Sequence, residues 1–251
     1  MINKAFRKKN GLCSIFETTA NKVNRGKTIV IVIIIAGFFI SSHTALAGNK
    51  FAQSAGDDDT LGKFAHNKNI PAEFRAPILK ALSYFPELIN LHIDFEIKKA
   101  YTPLTTKPSF TSVFKRRSHR TYVVTISNQT IDTLSHLLFK NLTFDEKVGI
   151  MGHELSHVVD FDKKNFFQTV RNGAGHLSSR FLDKMEYRTD LICIQHGLGK
   201  YLEKYSLHVR RTMHVKYWRG VDHVFEKDGQ IERYMNPSTI EKYMQTPGVN
   251  P

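Results

Sequence analysis

Apolar positions follow several rhythms along this chain. From Thr28 to Ile40 they run almost unbroken. From Gly48 to about Asn69 they thin out, and the segment 48–70 reads as a polar linker, least able to fold around Gly56-Asp57-Asp58-Asp59. Pro71 then opens a helical pattern that sets Ile78, Leu79, Leu82 and Phe85 on one face, stopped by Pro86. Leu91, Ile93, Phe95 and Ile97 alternate with His92, Asp94, Glu96 and Lys98, the period of a half-buried strand. Two further strands are predicted at Phe110–Phe114 and Thr121–Ser127, the second rich in the β-branched residues and tyrosine that strands prefer.

Beyond Thr130 the pattern predicts helices. Ile131, Leu134, Leu137 and Leu138 are spaced for one helical face. Thr143-Phe144-Asp145-Glu146 is a capping box, in which a hydroxyl and a carboxylate satisfy the free amides of the first turn. The helix it opens carries Val148, Met151, Leu155 and Val158 inward. A loop at Asn172-Gly173-Ala174-Gly175 follows, then a helix from Ser179 to Gln195 closed by Gly197, then helical patches over 200–246. A helix, then strands, then helices is the order of an α+β fold with a small sheet and a helical C-terminal half.

The apolar run near the start sets the compartment. It spans 13 residues, so as a helix it reaches about 20 Å, short of a hydrocarbon core of about 30 Å. Lys4, Arg7, Lys8, Lys9, Lys22, Arg25 and Lys27 precede it against the single acid Glu17, and Ala45-Leu46-Ala47 ends it. A basic front, a short apolar core and an Ala-x-Ala exit predict a signal peptide over residues 1–47, cleaved after Ala47. The competing reading is a retained membrane anchor, since a helix extended through Ala47 is long enough to span. Either way the residues after 47 are expected outside the cytoplasm.

Composition narrows the class. Hydrophobic residues make up 41% and charged residues 24%, as in a globular enzyme rather than a disordered chain. The leader holds +6 of the total +13, leaving +7 for the remainder. Lys115-Arg116-Arg117-Ser118-His119-Arg120 reads as solvated loop charge, and no aromatic interleaving accompanies it, so no nucleic-acid partner is expected. Of two cysteines, Cys13 lies in the leader and Cys193 in the run Leu191-Ile192-Cys193-Ile194, where it is expected as a buried apolar residue without a disulfide partner.

The chemistry concentrates at His153-Glu154-Leu155-Ser156-His157. Positions i and i+4 share one face of a helix, so two imidazoles can meet one Zn²⁺. Glu154 falls beside them, as a general base for the attacking water. A third ligand has to come from elsewhere. Glu186 is the leading candidate, with Asp190 one turn on to accept the outer N–H of a ligating imidazole. Asp160, on the motif's own helix face, and His176 are its rivals. Three residues past His157 stands Asp160 rather than glycine, which departs from the metzincin pattern.

With Glu186-x-x-x-Asp190 beside it, the motif resembles the gluzincin zinc peptidases, and most of all the membrane-associated M48 group that includes the CAAX prenyl protease and bacterial heat-shock and periplasmic members. Tyr122–Ile126 is similar to the strand preceding the active-site helix in that group, and Leu142–Glu146 to the helix entry. Thr189 stands where alanine is usual. The resemblance covers Tyr122 to about Tyr243 and implies a zincin-like domain over 71–251. It also implies that the strand at Thr121–Ser127 borders the cleft and pairs with an extended substrate. The group's His-Pro and following Arg are replaced here by Asn236-Pro237 and Lys242, which leaves the oxyanion donor unassigned among Tyr187, His208, His214, His223 and Tyr234.

The expectation is therefore a zinc metallopeptidase acting on peptide or protein substrates outside the cytoplasm. One Zn²⁺ would be held by His153, His157 and Glu186, with Glu154 catalytic and Asp190 supporting. If the leader is retained, it is also a membrane contact. Two other classes compete: a non-catalytic zinc-binding interaction domain of the cell envelope, and a basic membrane-surface adaptor that leaves the motif unexplained.

Overall fold

The computed structural model describes residues 58–109, 112, 115–116, 119–164, 168, 178–220 and 232–246. The candidate leader and most of the predicted strand at Phe110–Phe114 lie outside them, as do His176, His223 and the loop at 172–175. Among the described residues no helix is long and apolar enough to cross a membrane.

The fold is mixed α+β. Among the described residues four strands, β1 (Lys68–Asn69), β2 (His92–Lys98), β3 (Leu104–Pro108) and β4 (Thr121–Ser127), form one sheet in the order β1-β2-β4-β3. β1 and β4 run parallel to β2, and β3 runs antiparallel to β4. The longer helices among the described residues are α1 (Arg75–Leu82), α2 (Phe144–Asp162), α3 (Ser179–Cys193), α4 (Gly199–Met213) and α5 (Pro237–Gln245), and α2 packs against the sheet at β3.

α2 is the central element. It opens with the predicted capping box, Glu146 Oε2 accepting from the Thr143 amide at 2.8 Å and Thr143 Oγ1 from the Glu146 amide at 3.4 Å. The sequence pattern predicts one buried stripe, but every residue from Val148 to Phe161 is buried. β3, α1, α3 and α4 all pack against this one helix, so little of its surface is left to water. Gly149 makes the closest approach possible: a Cβ there would lie 2.2 Å from the Tyr201 carbonyl oxygen on α4. Cys193 is buried and unpaired, as expected, and burial raises its thiol pKa well above normal.

Several elements differ from their sequence patterns. The expected linker contains a helical turn at Asp58–Leu61, a 3₁₀ turn at Gly62–Ala65 and strand β1, because Phe64 is buried in the core and Leu61 and Ile70 pack against it. The helix expected after Thr130 is instead a 3₁₀ turn at Asp132–Leu137. Ile131, Leu134 and Leu137 are three residues apart, the interval that eclipses in a 3₁₀ helix. α3 does not end freely at Gly197; it continues through a wide turn at Ile194–Leu198 into α4, with Gly197 at φ 81°. Arg120, grouped with the solvated basic run, is buried and donates to the Lys164 carbonyl at 2.7 Å.

β3 has no counterpart among the predicted strands. Leu104-Thr105-Thr106-Lys107-Pro108 holds one large apolar residue and ends in proline, features that suit a sheet edge and hide it from periodicity. Its presence corrects the expectation for Thr121–Ser127. β4 is paired on both sides and has no edge to offer a substrate, whereas β3, like β1 at the other side of the sheet, has an outer edge that no strand of the described residues occupies.

Candidate metal centre

His153 and His157 lie one turn apart on α2, ring centroids 4.8 Å apart and nearly perpendicular. α3 crosses α2 and brings a carboxylate to both: Glu186 Oε2 is 3.1 Å from His153 Nε2 and 3.2 Å from His157 Nε2. These three groups could hold a metal ion, with all ligand atoms within 4.8 Å of one another. Donors bound at 2.0–2.1 Å in a tetrahedron stand about 3.3 Å apart, so the observed spacing is already close to that of a ligated set. The residues fit a metal.

Electrostatics agree with the geometry. Burial opposes ionisation of Glu186, but the two imidazoles beside it outweigh that and hold its carboxyl far below the usual range. Burial likewise opposes a proton on His153, yet its bonds to Asp190 and Glu186 raise its pKa well above normal. The pocket is therefore strongly attractive to positive charge, whether proton or metal ion.

Both rings are held from behind. Asp190 Oδ1 lies 2.7 Å from His153 Nδ1, the contact expected of it, and Asp190 Oδ2 accepts the Met235 amide at 2.7 Å. Thr189 Oγ1 lies 3.2 Å from His157 Nδ1 while donating to the Met185 carbonyl at 2.9 Å. With its hydroxyl proton committed to Met185, Thr189 can only accept from the ring. Each Nδ1 thus keeps its hydrogen, which leaves Nε2, on the Glu186 side, as the nitrogen that would take a metal in place of a proton. Thr189 was not among the predicted site residues. Its place three residues after Glu186, on the same helical face, was the signal for it.

Glu154 is buried beside the histidines and accepts a 2.6 Å hydrogen bond from Thr106 Oγ1 on β3. Asp160, the rival third ligand, turns elsewhere: it pairs with Lys164 and lies 3.6 Å from Arg188. Of the oxyanion candidates, His208 pairs with Glu146 at 3.1 Å, His214 takes a left-handed backbone at the end of α4, and Tyr187 donates to Tyr243 at 3.4 Å. Tyr234 alone of the described candidates sits at the site, its ring 5.7 Å from that of His153. Arg210 holds it there by donating to the Tyr234 carbonyl at 3.0 Å and to Asn236 Oδ1 at 2.7 Å. Asn236 is thus a structural acceptor at the start of α5.

His153, Glu154 and Tyr234 also line an open cleft whose apolar wall includes Leu134, Leu137, Val209 and Trp218. No known protein family, curated protein or solved structure matches the chain in comparisons with all three. The local chemistry of these residues therefore carries the functional argument.

Proposed function

We propose that this chain is a zinc-dependent peptidase of the gluzincin type, related in design to the M48 group and working outside the cytoplasm. One observation carries the reading: two imidazoles from α2 and one carboxylate from α3 converge within metal-ligand spacing, with Glu154 next to them on the same helix. Three protein ligands leave a tetrahedral ion one open position, the arrangement of a catalytic rather than a structural zinc site.

When bound, Zn²⁺ supplies Lewis acidity, acidifying a water and polarising the scissile carbonyl. His153, His157 and Glu186 hold the ion, and Asp190 and Thr189 keep the two rings aligned. Glu154 takes a proton from the attacking water as its oxygen bonds to the carbonyl carbon. Glu154 then returns that proton to the amine nitrogen as the C–N bond breaks, leaving a carboxylic acid and an amine. Tyr234, whose ring lies 5.7 Å from that of His153, is the described candidate for the group that stabilises the developing oxyanion.

The edge of β3 supports an extended substrate. Ser109 N–H donates to Thr121 O and Ser127 N–H to Pro103 O, each at 2.8 Å, which sets the phase of the β3–β4 ladder. Residues 103, 105, 107 and 109 therefore face β4, while Leu104, Thr106 and Pro108 turn their backbone groups to the outer edge. A peptide added there would run beside the metal centre, and the apolar cleft wall would take a hydrophobic side chain next to the scissile bond.

Zinc stoichiometry and peptidase assays on wild type and Glu154→Gln test the reading together. One zinc per chain in both, with cleavage of labelled casein by wild type only, is the expected result. Zinc in both with no hydrolysis by either would identify a zinc-binding interaction domain instead. Wild-type protein that carries no stoichiometric metal would end both readings.

A further inference from the structure

We propose that Thr106 is a positioning residue that ties the substrate-binding edge of β3 to the general base Glu154. The inference rests on the peptidase reading and adds to it a residue outside the zinc motif.

Two features of Thr106 meet at one point. Its backbone N–H and C=O belong to the outward-facing set of β3, because the ladder phase turns the neighbouring residues 105 and 107 toward β4. Its side chain lies on the same face as buried Leu104, where the sheet covers α2, and its hydroxyl donates to Glu154 Oε2 at 2.6 Å. This bond joins residues 48 apart in sequence, so it is a property of the packed sheet and helix. A hydroxyl has one proton to give, and giving it to Oε2 restricts rotation of the carboxylate and leaves Oε1 as its free acceptor. A substrate strand that pairs with the Thr106 amide and carbonyl is thereby registered against the same residue that orients the base.

The arrangement predicts a division between binding and turnover. Valine is nearly isosteric with threonine, suits a strand, and keeps the edge amide and carbonyl, so KM reads the edge and kcat reads the hydroxyl. The experiment uses the full chain loaded with zinc and a defined peptide taken from the wild-type casein cleavage products. Thr106→Val is expected to lower kcat about tenfold with KM within about twofold of wild type, since removing the hydrogen bond that orients Glu154 weakens the transition state rather than the ground state. Thr106→Ser, which keeps the oxygen, is expected to recover most of that activity. Zinc content is expected to stay at one per chain in both variants.

Wild-type kcat in Thr106→Val, or a defect confined to KM, overturns the inference while leaving the peptidase reading intact. Should Thr106→Val fail to fold, the pair Thr106→Ala and Thr106→Ser serves instead, and equal kcat in those two overturns it. Absence of hydrolysis by wild type fails the peptidase reading itself and takes this inference with it.

Discussion

Asp190 and His153 are joined by a 2.7 Å contact between Oδ1 and Nδ1, and the second oxygen of Asp190 is occupied by the Met235 amide. The carboxylate therefore cannot swing away without leaving a buried N–H unsatisfied. It fixes the ring that faces Glu186. Asp190→Asn keeps the shape but replaces a charged acceptor by an amide. Metal affinity is expected to fall by about 10- to 100-fold, as is usual when the partner of a ligating imidazole is weakened. Competition with a chromophoric chelator measures it, and unchanged affinity would refute a supporting role for Asp190.

Thr189 performs the same service for His157 with a neutral hydroxyl. Thr189→Val removes the acceptor at nearly constant volume, so the expected outcome is weaker metal binding with little change in folding. Thr189→Ser retains the acceptor and should bind like wild type. Loading the proteins with Co²⁺ gives a readout independent of turnover, because its visible spectrum reports ligand geometry. Identical spectra and affinities in Val and Ser variants would remove Thr189 from the site.

A pH-dependent pair lies away from the metal centre. His196 Nδ1 faces the Ile192 carbonyl at 2.7 Å and Nε2 faces Glu87 Oε1 at 2.8 Å, so the protonated ring can donate from both nitrogens. Burial alone would lower its pKa, but these acceptors leave it above the ordinary 6.5. The hydrogen bond from His196, against some opposing burial, lowers Glu87 below its ordinary 4.5, and Lys163 is a further charge acting on both. A raised histidine contributes stability that is full below its unfolded pKa and lost as pH rises through the folded value. A depressed carboxylate contributes stability that is full above its unfolded pKa and lost as pH falls through the folded value. The pair's contribution should therefore be greatest between pH 4.5 and 6.5. Denaturant unfolding of wild type and His196→Gln across pH checks it, and the two curves should converge as pH rises. Parallel curves would exclude the linkage.

Gly149 is expected to be intolerant of any side chain. A methyl there would sit 2.2 Å from the Tyr201 carbonyl oxygen, a backbone atom that cannot move alone. Gly149→Ala should push α4 from α2 and cost about 1–3 kcal/mol, as overpacking does. Thermal unfolding reads the effect, and an unchanged midpoint would contradict the close helix approach.

How much of the fold and site is legible in the sequence follows from the range of each interaction. The capping box, the alternation at Leu91–Ile97 and the spacing of His153, His157, Glu186 and Asp190 are all local patterns. They depend on the repeat of a helix or a strand, which the chain carries in a few consecutive residues. Those residues arrive where the patterns predict. β3 is invisible for the opposite reason: an edge strand needs no alternation and tolerates proline, so nothing in five residues distinguishes it from a loop.

By itself, then, the sequence determined that His153 and His157 share one helix face with Glu154 beside them, because backbone geometry translates spacing into direction. Only the tertiary structure decided which of Glu186 and Asp160 reaches the imidazoles, that Thr189 and the Met235 amide complete their support, and that Thr106 meets Glu154. Those contacts join residues 32 to 48 positions apart. They exist because four elements pack around α2, and no short-range pattern records which neighbour covers each side of a buried helix.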